Sequence, residues 1–73
     1  MEIPARIQEV FVYITGDDDF QFSTPIRDFY LDTIDKEELL EHLEAEFDKD
    51  IPLEIFKSWK TAQDAVDYFV SAL

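Results

Sequence analysis

Cysteine is absent from this chain of 73 residues, which excludes a disulfide framework, a thiolate nucleophile and a zinc-thiolate site. Stability therefore has to come from packing, in a chain close to the lower size limit for a single hydrophobic core. Basic residues are scarce: six Lys and Arg face eighteen Asp and Glu, for a formal charge of -12. Such a balance repels nucleic acid and anionic membrane surfaces and makes basic protein surfaces the natural partners. Glycine occurs once and proline three times, with no linker, repeat or low-complexity segment. No apolar run approaches membrane-spanning length, and Met1-Glu2-Ile3-Pro4 lacks the basic region and apolar stretch of a secretory signal. The expectation is one domain over residues 1–73, monomeric and cytoplasmic, binding neither nucleic acid nor membrane.

What is present is apolar and aromatic. Hydrophobic residues make up 47% of the chain, and seven Phe, three Tyr and one Trp supply rings that remove large areas from water when buried. That content, with clear helical periodicity, separates the chain from acidic disordered sequences.

From Pro4 to about Ile14, apolar residues at Ile3, Ile7, Val10, Phe11 and Ile14 fall on one helical face; Pro4 suits the first turn and Gly16 the end. Asp17 to Leu31 has no period and reads as a long loop. Its Phe20, Phe22, Ile26, Phe29, Tyr30 and Leu31 are too many apolar side chains to be left in water, so the loop is expected to pack down as part of the core. A second helix runs from about Thr33 or Asp35 to Phe47 with Leu39, Leu40, Leu43 and Phe47 on one face. Thr33 and Asp35 are both good N-cap types, and Asp35 has Glu38 in a capping-box relation. Pro52 opens a short helical turn through Leu53, Ile55 and Phe56, and Trp59 anchors the link that follows. The last helix starts at Thr61, with Asp64 at its third position, and is expected to bury Ala62, Ala65, Val66, Phe69 and Val70, with Leu73 at its end. The fold expected is all-α: a small antiparallel bundle of three main helices plus one short helix, with a long first loop.

The segment Leu31-Asp32-Thr33-Ile34-Asp35, the helix through Phe47, and Ile51-Pro52 resemble an acyl carrier protein. A second anchor, Thr61-Ala62-Gln63-Asp64-Ala65-Val66-Asp67-Tyr68-Phe69, is similar to the family's closing helix, and the separation of the two anchors also matches. The resemblance covers Asp28 to Phe69. It implies a non-catalytic carrier whose Asp-Ser-Leu-Asp serine holds a 4′-phosphopantetheine arm, set there by a separate transferase. Here that position is Thr33. Threonine keeps the hydroxyl, but its methyl crowds the acceptor oxygen, and in-line phosphoryl transfer depends on close placement of that oxygen. The plainer reading is that Thr33 only caps the helix. No cofactor is then expected, and 4′-phosphopantetheine on Thr33 requires a tolerant transferase. Ser23 lies in an unrelated context and is no substitute.

Three further departures from the family point the same way. At about 100° per residue, Glu37, Glu41, Glu44 and Asp48 lie opposite the Leu39, Leu43 and Phe47 face; the positions matching Glu37 and Glu41 are usually apolar in the family and touch partner enzymes. The acids with which the family meets basic partners persist at Asp32, Asp35, Glu38 and Glu44. Either this is an ordinary solvated face or it binds a basic protein chiefly by charge. Phe56 and Trp59 stand near the positions that line the family's acyl cleft and are expected to leave little room for a long chain. Phe29-Tyr30-Leu31 replaces the usual Leu-Gly-Ala and loses a glycine.

Other chemistry has little behind it. His42, the one histidine, reads as a surface residue, and Asp17-Asp18-Asp19 lacks the ligand spacing of a calcium loop. No metal site and no enzyme activity are expected. The sequence leaves three functions: an acyl-carrier-like protein that is not pantetheinylated and docks to basic partners in fatty-acid, polyketide or related acyl metabolism; a working carrier modified on Thr33; or an acidic inhibitor of the immunity-protein type.

Overall fold

Four α-helices and one 3-10 turn carry the chain in the computed structural model, which describes residues 2–17 and 19–73. Helix α1 spans Ile3–Thr15, the 3-10 turn Ile26–Phe29, α2 Thr33–Phe47, α3 Leu53–Ser58 and α4 Ala62–Ala72. No strand is present among the described residues; a single bridge pairs Pro25 with Thr61. No helix among them is long and apolar enough to cross a membrane.

Each helix ends where its local chemistry requires. Proline sits in the first turn of α1, where a missing N–H costs nothing. At its other end Gly16 adopts φ 69°, and its N–H donates to the Val12 carbonyl at 2.7 Å. The closing helix α4 has Thr61 at its N-cap, and the Asp64 carboxylate accepts from the N–H groups of Lys60 at 2.7 Å and Thr61 at 3.2 Å. Leu53–Ser58 is longer than the single turn read from Pro52, which serves as its N-cap.

The core collects Ile7, Val10 and Phe11 of α1, Leu39, Leu43 and Phe47 of α2, and Ala62, Ala65, Val66 and Phe69 of α4, with Phe20 and Ile51 from the connections. Helix α1 packs against both α2 and α4. The apolar residues of the long first connection are drawn in as expected: Phe20 is buried, and Phe22, Ile26, Phe29 and Leu31 are partly buried against the core. Phe20 stacks on Phe29 with ring centres 5.9 Å apart and lies 5.3 Å from Phe11.

Three expectations are corrected. The first connection is not structureless, because Ile26–Phe29 forms a 3-10 turn tied by Ile26 N–H to the Lys60 carbonyl at 2.8 Å. Tyr30 does not join the core; it is 89% exposed. Val70 and Leu73 are 61% and 58% exposed, since α4 turns only its Ala62, Ala65, Val66 and Phe69 stripe inward.

Tyr30 is exposed because of its backbone. Its φ of 56° lies in the left-handed region, and its N–H closes the 3-10 turn on the Arg27 carbonyl at 3.2 Å. A non-glycine residue in that region costs about 1–2 kcal/mol, against about 0.5–1 kcal/mol for glycine's larger entropy loss on folding. Tyr30→Gly is therefore expected to raise stability by about 0.5 kcal/mol, read as a higher urea midpoint with unchanged slope. A lower midpoint would show that the exposed ring contributes more than the backbone strain.

Arg6 was assigned no part by the sequence, yet it ties α1 to α2. Its Nε donates to Glu46 Oε2 at 2.7 Å, a second guanidinium N–H donates to the Glu46 carbonyl, and its Cζ lies 4.6 Å from the Phe47 ring centre. Helix α2 has acids but no basic residue in its last turn, the negative end of its dipole. Arg6 supplies that cation from another helix and satisfies a carbonyl that has no partner within α2. Arg6→Ala is expected to lower stability by about 2 kcal/mol, from charge-assisted hydrogen bonds and ring contact together. Arg6→Lys should recover only part, because an ammonium cannot bond side chain and carbonyl in the same fork. Urea titrations of both variants check this.

Candidate functional site

The start of α2 gathers most of the residues that the sequence singled out. Asp32, not Thr33, is the N-cap: its Oδ1 accepts the Asp35 N–H at 2.8 Å, and Asp35 Oδ2 accepts the Asp32 N–H at 3.4 Å. The capping box is thus Asp32 with Asp35 rather than Asp35 with Glu38. A carboxylate at this point satisfies an orphan N–H and also lies at the positive end of the dipole, an advantage a hydroxyl lacks. Thr33 is displaced to the first helical position. It is exposed, and among the described residues its hydroxyl has no hydrogen-bond partner. The plainer reading of Thr33 as a cap is therefore set aside.

The acids of α2 separate into two groups. Glu37, Glu38 and Glu41 are exposed and have no cationic partner within 4.0 Å among the described residues. Ile34 stands with them at the start of the helix, 65% exposed. Glu44 does not belong to this face in the way expected. It is half-buried, and its Oε2 accepts the Ile51 N–H at 2.8 Å, holding the turn that follows α2. Asp48 closes the helix in the left-handed conformation at φ 49°, which Asp tolerates better than most residues.

Beside the first turn of α2 lies an open cleft of about 530 Å³. Leu39, Ile26, Phe56 and Trp59 give it an apolar interior. Phe56 and Trp59 are half-buried, with ring centres 5.5 Å apart, and they wall the cleft instead of filling it. The expectation of little room is corrected accordingly. Trp59 is held from behind by Tyr68 and Phe69, at 5.7 and 6.4 Å, so its ring cannot collapse forward without losing those contacts.

The rim of the cleft could not be read from the sequence. Arg27, Lys36, Lys57 and Lys60 line it, four of the six basic residues in the chain, and none of its described lining residues is acidic. Arg27 comes from the 3-10 turn, Lys36 from α2, Lys57 from α3 and Lys60 from the link to α4. Only the fold brings them together. The Ile26 N–H bond to the Lys60 carbonyl at 2.8 Å and the Gln63 N–H bond to the Phe22 carbonyl at 3.2 Å fix the first connection against that link and the first turn of α4.

The one histidine of the chain stands apart from Thr33. His42 is exposed, nine residues further along the same helix and so about 13 Å along its axis; its ring lies 5.1 Å from Tyr13 instead. Among the described residues no three His, Cys, Asp or Glu side chains are grouped to hold a metal ion. The aspartate run considered for a cation includes Asp18, which lies outside the described residues; Asp17 Oδ1 accepts the Asp19 N–H at 2.9 Å. No family model matches the chain, and no curated protein matches it.

Proposed function

We propose that this chain is an acyl-carrier-like protein that acts without catalysis, by docking to a basic partner of acyl metabolism through the outer face of α2. The observation that carries the reading is the exposed group of Glu37, Glu38 and Glu41 beside Ile34, acids free of ion pairs among the described residues on a helix whose other face is committed to the core. Unpaired carboxylates fixed on a rigid helix steer a cationic surface at long range and set its register on contact. The resemblance to acyl carrier proteins supplies the class of partner. It is supported by four helices, a long first connection, and left-handed backbone at Tyr30 where the family has glycine.

A second reading, a carrier with 4′-phosphopantetheine on Thr33, gains from one observation: the Thr33 hydroxyl is exposed and unused at the first position of α2. Intact mass separates the two. After incubation with coenzyme A and a broad-range transferase, the first reading expects unchanged mass, whereas a gain of about 340 Da that disappears in Thr33→Ala establishes the second. Protein purified from its native host should give the same answer without added enzyme.

A further inference from the structure

We infer that Tyr30 makes this protein select arginine over lysine on its partner: the Tyr30 ring is the platform on which a guanidinium of the basic protein surface stacks when that surface docks on α2. The inference rests on the docking reading and adds to it the residue that chooses which cation is bound.

The argument starts from what Tyr30 costs the chain. Its φ of 56° is a conformation that glycine adopts freely and a residue with a side chain does not. Burial returns none of that cost, because the residue is 89% exposed. Nothing else in the chain compensates. Among the described residues the Tyr30 ring pairs with no other ring, no cation lies over it, and its hydroxyl has no hydrogen-bond partner. Arg27, three positions earlier, faces the Asp28 carboxylate at 3.8 Å. Backbone strain kept without internal compensation is a property of binding sites, where the missing contact comes from a partner.

The surroundings define that partner. Ile34, Glu37, Glu38 and Glu41 fall at i, i+3, i+4 and i+7 and form one exposed stripe on α2, about 10 Å long. Tyr30 precedes Ile34 by four positions, at most about 14 Å of extended chain. A protein interface of usual size covers about 800 Å² on each side, a patch about 28 Å across, so a partner seated on the stripe spans the distance to Tyr30. Asp28 and Asp32 flank Tyr30 two positions away on either side. Asp32 Oδ1 accepts the Asp35 N–H, and its Oδ2 is unused among the described residues. An aromatic face between carboxylates attracts any cation, but only a guanidinium can lay its plane on a ring while its edge N–H groups meet a carboxylate. An ammonium is a strongly hydrated point charge and gains less from the ring. The glutamates of α2 do not discriminate between the two cations; Tyr30 does.

The test uses two capped, alanine-based helical peptides that are identical except for carrying four arginines or four lysines. Each is titrated into the isotopically labelled full chain at low salt and followed by amide chemical shifts. Both should move the amides of the α2 stripe, and the arginine peptide should also move that of Tyr30 and bind about fivefold tighter. Tyr30→Phe should keep that ratio. Tyr30→Leu, which keeps apolar area but removes the ring's charge distribution, should bring the ratio close to one by weakening the arginine peptide alone, with folding checked by circular dichroism. Equal affinities of the two peptides for the unaltered chain, a ratio that survives Tyr30→Leu, or no binding of either peptide overturns the inference. The docking reading fails by a different result, in which Glu37→Lys, Glu38→Lys and Glu41→Lys together leave the affinity of the lysine peptide unchanged. A lysine peptide that depends on those three acids, beside an arginine peptide no tighter than it, keeps the docking reading and rejects the role of Tyr30.

Discussion

Phe69→Ala is expected to lower the stability of this protein by about 3–5 kcal/mol, the usual cost of emptying a buried phenylalanine site. Phe69 is fully buried, and its ring stacks on Phe47 with centres 4.1 Å apart and planes inclined by 21°. Arg6 lies over the same Phe47 ring, so α1, α2 and α4 are joined through one stack. Its removal opens a cavity where three helices meet, and packed surroundings relax only partly to close it. At about 0.05–0.15 kcal/mol per residue, a chain of this size has about 4–11 kcal/mol in total. The variant should therefore be partly unfolded at room temperature, with a thermal midpoint lower by about 15 °C or more. Circular dichroism at 222 nm through a thermal scan reads this directly. Phe69→Leu, which keeps most of the apolar volume, should lose about 1.5 kcal/mol or less. A small shift for Phe69→Ala would mean that the three helices are held elsewhere.

The same residue also bears on the cleft. Phe69 and Tyr68 support Trp59 from behind. Phe69→Leu should therefore broaden the Trp59 environment, seen as a red-shifted emission, before it costs much stability. Stability and cleft geometry are thus linked through one aromatic cluster, and neither can be altered there alone.

How much of this was legible in the sequence depends on the range over which each feature is set. The helices were legible because their apolar faces repeat within a few residues: Ile7, Val10 and Phe11 on α1, Leu39, Leu43 and Phe47 on α2, and Ala62, Ala65, Val66 and Phe69 on α4 all lie where the periodicity puts them. The first connection has no period, so the sequence could say that its rings are buried as a group but not which one is left out. Tyr30 is excluded by a left-handed backbone, which composition does not reveal. The cap of α2 was placed at Thr33 or Asp35, one or three residues too late, because Asp32, Thr33 and Asp35 are all capping types and only geometry chooses among them.

The candidate site was legible in its acidic half and hidden in its basic half. Glu37, Glu38 and Glu41 sit on one helix, so their shared face follows from spacing alone. Arg27, Lys36, Lys57 and Lys60 come from four separate stretches of chain, and their meeting is a tertiary fact. Arg6 and Glu46, forty positions apart, are hidden for the same reason. A count of six basic residues in a strongly acidic chain hides the concentration of four of them around one cleft.

The proposed docking face makes its largest prediction through charge reversal, and the structure dictates which acids to reverse. Glu37→Lys, Glu38→Lys and Glu41→Lys together should weaken retention of any partner that co-purifies from the native host by about 100-fold or more, since each reversal replaces an attraction with a like-charge contact. Folding should survive, because all three are exposed and free of ion pairs among the described residues. Reducing the excess of negative charge on α2 should even raise stability by a few tenths of a kcal/mol, roughly. Glu44 has to be left out of the set. Its carboxylate bonds the Ile51 N–H, so Glu44→Lys should lose about 1–3 kcal/mol by leaving that donor unmatched, and any loss of binding would then report unfolding. Glu44→Gln keeps an acceptor and should recover much of that loss. Reversing Glu2 and Glu9, exposed acids at the cap of and within α1, changes net charge without touching the α2 face. Retention lost with the α2 triple reversal and kept with Glu2→Lys and Glu9→Lys locates the docking surface on α2; equal losses would reduce the effect to net charge and reject it.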